Sequence, residues 1–274
     1  MNQKWQAVAR EADVASEQMA IGSTALKKAS YSRPAYYGQV FFALSTGFER
    51  AAKLALMVDY ALDHAGTYPD QKTVRDYLHD LRKLLDECDK IAERRGFSHP
   101  NQRLPRTAIH DGIISVLSTF ATNVTRYYNV DVIAEDPKVG GKVEPIRAWF
   151  ESVTVPVLDK HYTDRQRKKH QRNAEFTDAM IGAHSWVLFT NEKGDLITDV
   201  REASLQASRT QFATAYTRMY VMQIARFLGM LLTDLGHIAG TAHIDTVPSM
   251  SEMFAIFNND DEYFRSRETW SIYP

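Results

Sequence analysis

Cysteine is almost missing from this sequence. Cys88 is the only one among 274 residues, which excludes an intramolecular disulfide and a cysteine-based zinc site and fits a reducing, cytoplasmic setting. An excess of charge of one sign is missing too. Lysine and arginine total 33 against 34 aspartate and glutamate, a formal net charge of −1, so no global field draws in nucleic acid or a membrane, and any polyanion has to be met by a local patch. Long apolar runs are lacking as well. The most apolar stretch, "MYVMQIARFLGMLL" (219–232), is interrupted by Arg226 and is shorter than the roughly 20 residues that cross a bilayer; it reads as a buried helix. The N-terminal "MNQKWQAVAREADVASEQMA" has no apolar core of a signal peptide. Repeats, a glycine-rich phosphate loop, a serine-nucleophile elbow and an alternating strand pattern are all missing. No cofactor is implied. His237 and His243, with Asp234 and Asp245, stand in "DLGHIAGTAHID", where Gly236 and Gly240 are expected to break the helix; the spacing matches no metal-site pattern, so no metal is expected.

What is present is helical periodicity. Tyr37, Phe41, Leu44, Phe48, Ala51, Ala55, Val58 and Leu62 recur at steps of four and three, which places them on one face of a long helix. Gly66 and Pro69 follow as stop signals. Val74, Leu78, Leu81, Leu85, Cys88 and Ala92 define a second helix that starts after Asp70 and stops at Gly96, and Ile109, Ile113, Val116, Phe120, Val124 and Tyr127 a third. An alanine-rich helix over residues 2–30 precedes them, giving a four-helix unit over 1–133. The stretch "AEDPKVGGKVEP" (134–145) is the best boundary. Beyond it, 146–274 form a helical region that either stands alone or packs into the first unit: helix from 146 to about 189 interrupted at Pro156, a turn at "NEKGD", then a long helix over about 198–239 carrying Phe212, Tyr216, Tyr220, Ile224, Phe227, Leu231, Leu235 and Ile238 on one face. So wide an apolar face calls for cover on more than one side, by the first unit or by a second subunit. The tail "SEMFAIFNNDDEYFRSRETW" reads as a short helix and an ordered aromatic end. The fold class is all-α, an antiparallel helical bundle extended by further long helices, with no sheet.

Three polar signatures sit inside these apolar patterns: Gly47-Phe48-Glu49-Arg50 with Lys53 in the first core helix, His79-Asp80-Leu81 in the next, and Arg126-Tyr127-Tyr128-Asn129 at the exit of the third. Over roughly residues 30–132 the chain resembles the HEPN superfamily of helical bundles, within it a group of mostly uncharacterised bacterial proteins. The resemblance implies antiparallel helices, homodimers and, in many members, metal-independent cleavage of RNA in conflict systems such as phage defence and toxin–antitoxin pairs. Active members carry an arginine and then a histidine, four to six residues apart, at the entrance of the last helix. Arg103 and His110 have six residues between them, and Arg94 and His99 have four. In the resemblance Arg103 would clamp the scissile phosphate and His110 would move a proton near neutral pH. Active members also place a polar amide after the arginine, where this chain has Leu104 and Pro105. The competing reading is therefore a non-catalytic module for dimerisation and partner binding, or a subunit of a larger complex.

Outside that pair, Arg165, Lys168, Lys169 and Arg172 fall at i, i+3, i+4 and i+7 and would line one helix face, a track for phosphates of an RNA backbone or a solvated face. The stretch "DRQRKKHQRN" has no aromatic among its cations, so base stacking is not indicated there. Glu49, Lys53, His79 and Arg126 form a polar set that reads either as an interhelical network or as a ligand-facing cluster. The expected protein is thus cytoplasmic and not membrane-bound, with RNA, a second copy and a protein of the same system as its partners.

Overall fold

The computed structural model describes residues 2–76, 79–122 and 124–271; Leu78, expected on the second helix, lies outside them. Helices account for nearly all of the regular structure, so the all-α expectation holds. α1 (Gln3–Leu26) and α2 (Ala35–Asp63) lie against each other over most of their length. Small residues make this approach possible: Ala12 and Ala15 are fully buried, and a methyl group at Gly47 would stand 2.8 Å from the Met19 backbone nitrogen.

The second helix is in fact two. α3 (Gln71–Asp76) is separated from α4 (Leu81–Arg94) by Asp80, whose carboxylate accepts the Lys83 N–H at 3.3 Å as N-cap. α5 (Ala108–Ala121) ends before Val124 and Tyr127, which were expected on its buried face and are exposed instead. The Thr119 and Thr122 hydroxyls donate to the carbonyls of Ser115 and Ser118 four residues back, the local competition that loosens a helix end.

α6 (Tyr128–Ile133) follows, then α7 (Pro145–Trp149), a π turn (Phe150–Thr154) and α8 (Val155–His161) in one continuous rod. Pro156 was expected to interrupt the helix and does not. It lacks the N–H that would bond the Ser152 carbonyl, the chain accommodates this with the π turn, and the freed carbonyl faces Gly112 of α5. The break comes at Thr163, whose capping box with Gln166 opens α9 (Asp164–Ile181).

No sheet was expected, yet β1 (Phe189–Thr190) and β2 (Leu196–Ile197) pair as a minimal antiparallel hairpin around "NEKGD". At two residues per strand it was too short to show an alternating pattern.

α10 (Val200–Thr241) spans 42 residues, about 63 Å at 1.5 Å per residue. It runs through Gly236 and Gly240, which were expected to break it. At Gly236 the missing side chain admits the Pro248 carbonyl, 3.1 Å from where a Cβ would stand. α10 lies against α1, α2, α4 and α5 as well as against α9, and one core contains both Phe48 and Leu85 of the first half and Phe227 and Leu231 of the second. Its apolar face is therefore covered within the chain, with no second subunit needed. α11 (Ser251–Phe254), α12 (Asp261–Ser266) and the tail complete the cover: Phe254, Phe257, Phe264 and Trp270 are all buried, and Trp270 exchanges backbone hydrogen bonds with the Thr24 hydroxyl.

Candidate functional site

Arg103, in the loop before α5, and His110, in the first turn of α5, engage different helices. The Arg103 guanidinium meets Asp89 of α4 through Nε at 2.8 Å and Nη2 at 3.2 Å, with Glu93 at 3.5 Å. Asp89 also accepts the Leu104 N–H at 3.0 Å and lies 3.5 Å from Arg106, which pairs with Asp86 at 2.8 Å. Burial pushes Asp89 up, but its hydrogen bonds from Arg103 and Leu104 and the nearby Arg106 outweigh this and hold it below the usual carboxylate range. The charge expected to clamp a phosphate is already neutralised.

His110 is 2% exposed. Thr107 opens α5 as N-cap, and His110 is the third residue of that first turn. Its Nδ1 accepts the Thr107 N–H at 3.3 Å and lies 2.8 Å from the Thr107 hydroxyl. With Nδ1 accepting, the ring proton belongs on Nε2, which lies 2.8 Å from Gln223 Oε1 of α10. The Gln223 amide donates onward to Asp261 Oδ2 at 2.8 Å, and Asp261 pairs with Arg226 at 3.2 Å. A polar relay thus crosses from α5 through α10 to α12. Burial drives the His110 pKa down to about 4, so at neutral pH the ring is an uncharged brace. Arg94 and His99 are likewise apart: Arg94 joins Arg95 on Asp59 and Asp63, and His99 caps the turn Pro100–Gln102.

His110 is one end of an aromatic seam that sequence reasoning missed. Phe212, Tyr216 and Tyr220 lie four residues apart along α10. His170 stands edge-on to Phe212, His161 stacks on Tyr216 with centroids 4.1 Å apart and meets the Tyr220 hydroxyl at 2.9 Å, and His110 stands edge-on to Tyr220 at 5.1 Å. Burial, with Lys160 and Arg265 nearby, lowers the His161 pKa; burial, with Lys169, lowers that of His170. The apolar period of α10 was visible; that histidines from three other segments would fill it was not.

This seam orients α9. His170 and the buried Ala174 face α10, and Tyr162 hydrogen-bonds His170 Nδ1 at 2.9 Å. The opposite face, pointing away from the body, carries Arg165, Lys168, Lys169 and Arg172, all exposed. Among the described residues none of these four makes an ion pair, in contrast to Arg50, Arg82, Arg94, Arg95, Arg103 and Arg106, each held by a carboxylate. At 100° per residue, Phe176 falls within the arc of these four cations and is 68% exposed.

The polar set divides. Glu49 Oε1 receives both Lys53 and His79 at 2.8 Å, joining α2 to the segment before α4. Arg126 is elsewhere, its guanidinium over the rings of Phe42 and Phe120 at 5.5 and 5.3 Å, with Nε buried and without a hydrogen-bond partner among the described residues.

Glu192 lies in the hairpin turn that "NEKGD" predicts, with a role that the turn pattern does not show. It is 3% exposed and accepts hydrogen bonds from the Tyr31 N–H, the Tyr37 hydroxyl, the Gln206 amide and the Thr210 hydroxyl. It forms part of a cavity of about 860 Å³ lined also by Tyr31, Tyr128, Lys142, Arg147 and Phe189; Arg103 and His110 do not line it. Among the described residues no three histidine, cysteine or acidic side chains converge as metal ligands, His237 and His243 included, and no helix is long and apolar enough to cross a membrane.

Comparison with protein-family models, with curated proteins and with solved structures finds no match.

Proposed function

We propose that this chain is a HEPN-like RNA-binding module of a bacterial defence or toxin-type system, holding an RNA backbone on the outer face of α9 and doing no chemistry at Arg103 and His110. The observation that carries the reading is the set of four cations on one exposed helix face with no carboxylate of the described residues against them. A patch of this kind is the electrostatic footprint of phosphate binding, and it recruits anions even where net charge is near zero. RNA, rather than another polyanion, comes from the HEPN resemblance of residues 30–132. The non-catalytic half of the reading rests on two facts: Asp89 occupies Arg103, and Gln223 with Thr107 occupies both nitrogens of a buried His110. A nuclease at this pair would require both sets of bonds to break before substrate could enter.

The homodimer belongs to the same proposal. Tyr127, Val130 and Ile133 are 61, 61 and 83% exposed, a row of apolar side chains on and beside α6 that a second copy would cover.

Incubating RNA with the wild type, with Arg103→Ala and with a Lys168→Glu/Lys169→Glu variant tests the proposal. RNA length stays unchanged throughout, and retention of RNA is lost only in the charge-reversed protein. RNA cleavage by the wild type that disappears in Arg103→Ala would overturn it in favour of the endoribonuclease.

A further inference from the structure

The cationic face does not end at Arg172. One turn on, Phe176 lies within the same arc of the helix and Met180 just past its edge, 68% and 63% exposed. From Arg165 to Phe176 the track runs about 16 Å along the helix axis. An aromatic ring so exposed offers its face to a stacking partner. Among the described residues no ring or cation contact holds it there, and the face of α9 that packs on α10 is the opposite one, through His170 and Ala174.

Resting on the reading of α9 as an RNA-binding surface, we infer that its ligand is single-stranded, with the phosphates of a few nucleotides along Arg165, Lys168, Lys169 and Arg172 and an unstacked base lying on the Phe176 ring. The chemistry favours this over a duplex. A base can stack on a side chain only when it is free of its neighbours, and paired RNA buries its base faces within the helix while offering only grooves and backbone. Cations in line with an exposed ring are the combination that tracks a single strand without reading its base edges. A row of cations alone would not distinguish the two forms; the ring does.

Fluorescence anisotropy with a labelled single-stranded 12-mer RNA and with its duplex, at equal low salt, tests the inference on wild type, Phe176→Ala, Phe176→Trp and Lys168→Glu/Lys169→Glu. Loss of one stacked base by alanine substitution corresponds to an affinity loss of about fivefold or more. The inference expects the wild type to prefer the single strand, Phe176→Ala to lose that preference while still binding duplex, and Phe176→Trp to keep it with quenching of the new indole on binding. Equal affinity for the two forms, unchanged in Phe176→Ala, would overturn the inference and leave the backbone-binding reading standing. Failure of the wild type to bind either form, or binding indifferent to Lys168→Glu/Lys169→Glu, would instead overturn the underlying reading, and the inference with it.

Discussion

His110 Nε2 and the Gln223 side-chain oxygen lie 2.8 Å apart, and this one contact ties the first turn of α5 to the middle of α10. It also sets a pH dependence. The histidine has its usual value of 6.5 when unfolded and about 4 in the fold, so between these limits the unfolded chain binds more protons than the native one. Stability is then complete above pH 6.5 and falls as pH drops toward 4, by up to about 3 kcal/mol for this group. His161 and His170, lowered in the same direction, add to the same slope. Denaturant unfolding from pH 7.5 to 4.5 is expected to show a clear decline that His110→Gln makes shallower. An identical slope in the variant would mean that the histidine is not held neutral by burial.

Gly112 carries a steric prediction. A methyl group there would run into the Ser152 carbonyl oxygen, a backbone atom in the π turn before Pro156. Since the obstacle is backbone rather than a flexible side chain, Gly112→Ala should destabilise by about 1–3 kcal/mol, read as a shift in the denaturation midpoint. Gly38, which has open space around it, is the control: Gly38→Ala, inside α2, should be neutral or stabilising.

Asp89 and Arg103 should not be equivalent. Arg103 is partly exposed, and its loss removes its pairs with Asp89 and Glu93, worth about 1 kcal/mol at such a surface site. Asp89 is the shared acceptor for Arg103, Arg106 and the Leu104 N–H, with its side chain 14% exposed. Asp89→Ala is therefore expected to cost about 1–3 kcal/mol, more than Arg103→Ala. The reverse order would show that Arg103 is needed for something other than this brace.

Glu192 holds the hairpin against Tyr31, Tyr37, Gln206 and Thr210. Glu192→Ala leaves those buried donors without an acceptor, a loss of about 1–3 kcal/mol, and should speed proteolysis within residues 186–196. Glu192→Gln keeps an acceptor oxygen and should recover most of the loss. If glutamine is no better than alanine, the carboxylate charge itself is required.

The helices were legible where their apolar period was long. Phe41, Phe48 and Val58 on α2, and Phe227, Leu231 and Leu235 on α10, sit in the core as their spacing predicts. What the period could not show was where polar residues would intervene. Asp80 cut the second helix, the threonines after Ser118 ended α5 early, and a π turn carried the chain through Pro156, each through a backbone hydrogen bond that apolar spacing does not encode. The site was less legible still. Arg103 and His110 have the spacing of a pair, but spacing along a loop does not fix direction, and the partners that decide direction, Asp89 and Gln223, lie 14 and 113 residues away. The four cations of α9 were visible because they share one helix. Phe176 belongs to that face as well, one turn beyond the basic stretch, so the stretch itself shows no stacking residue.

The most direct test of α9 as a phosphate-binding face is the salt dependence of RNA affinity. With four cations on a single strand, log K against log salt is expected to fall with a slope of about −3, and removing Lys168 and Lys169 together should reduce it to about half. A wild-type slope near zero, or the same slope after both lysines are replaced, would contradict the account.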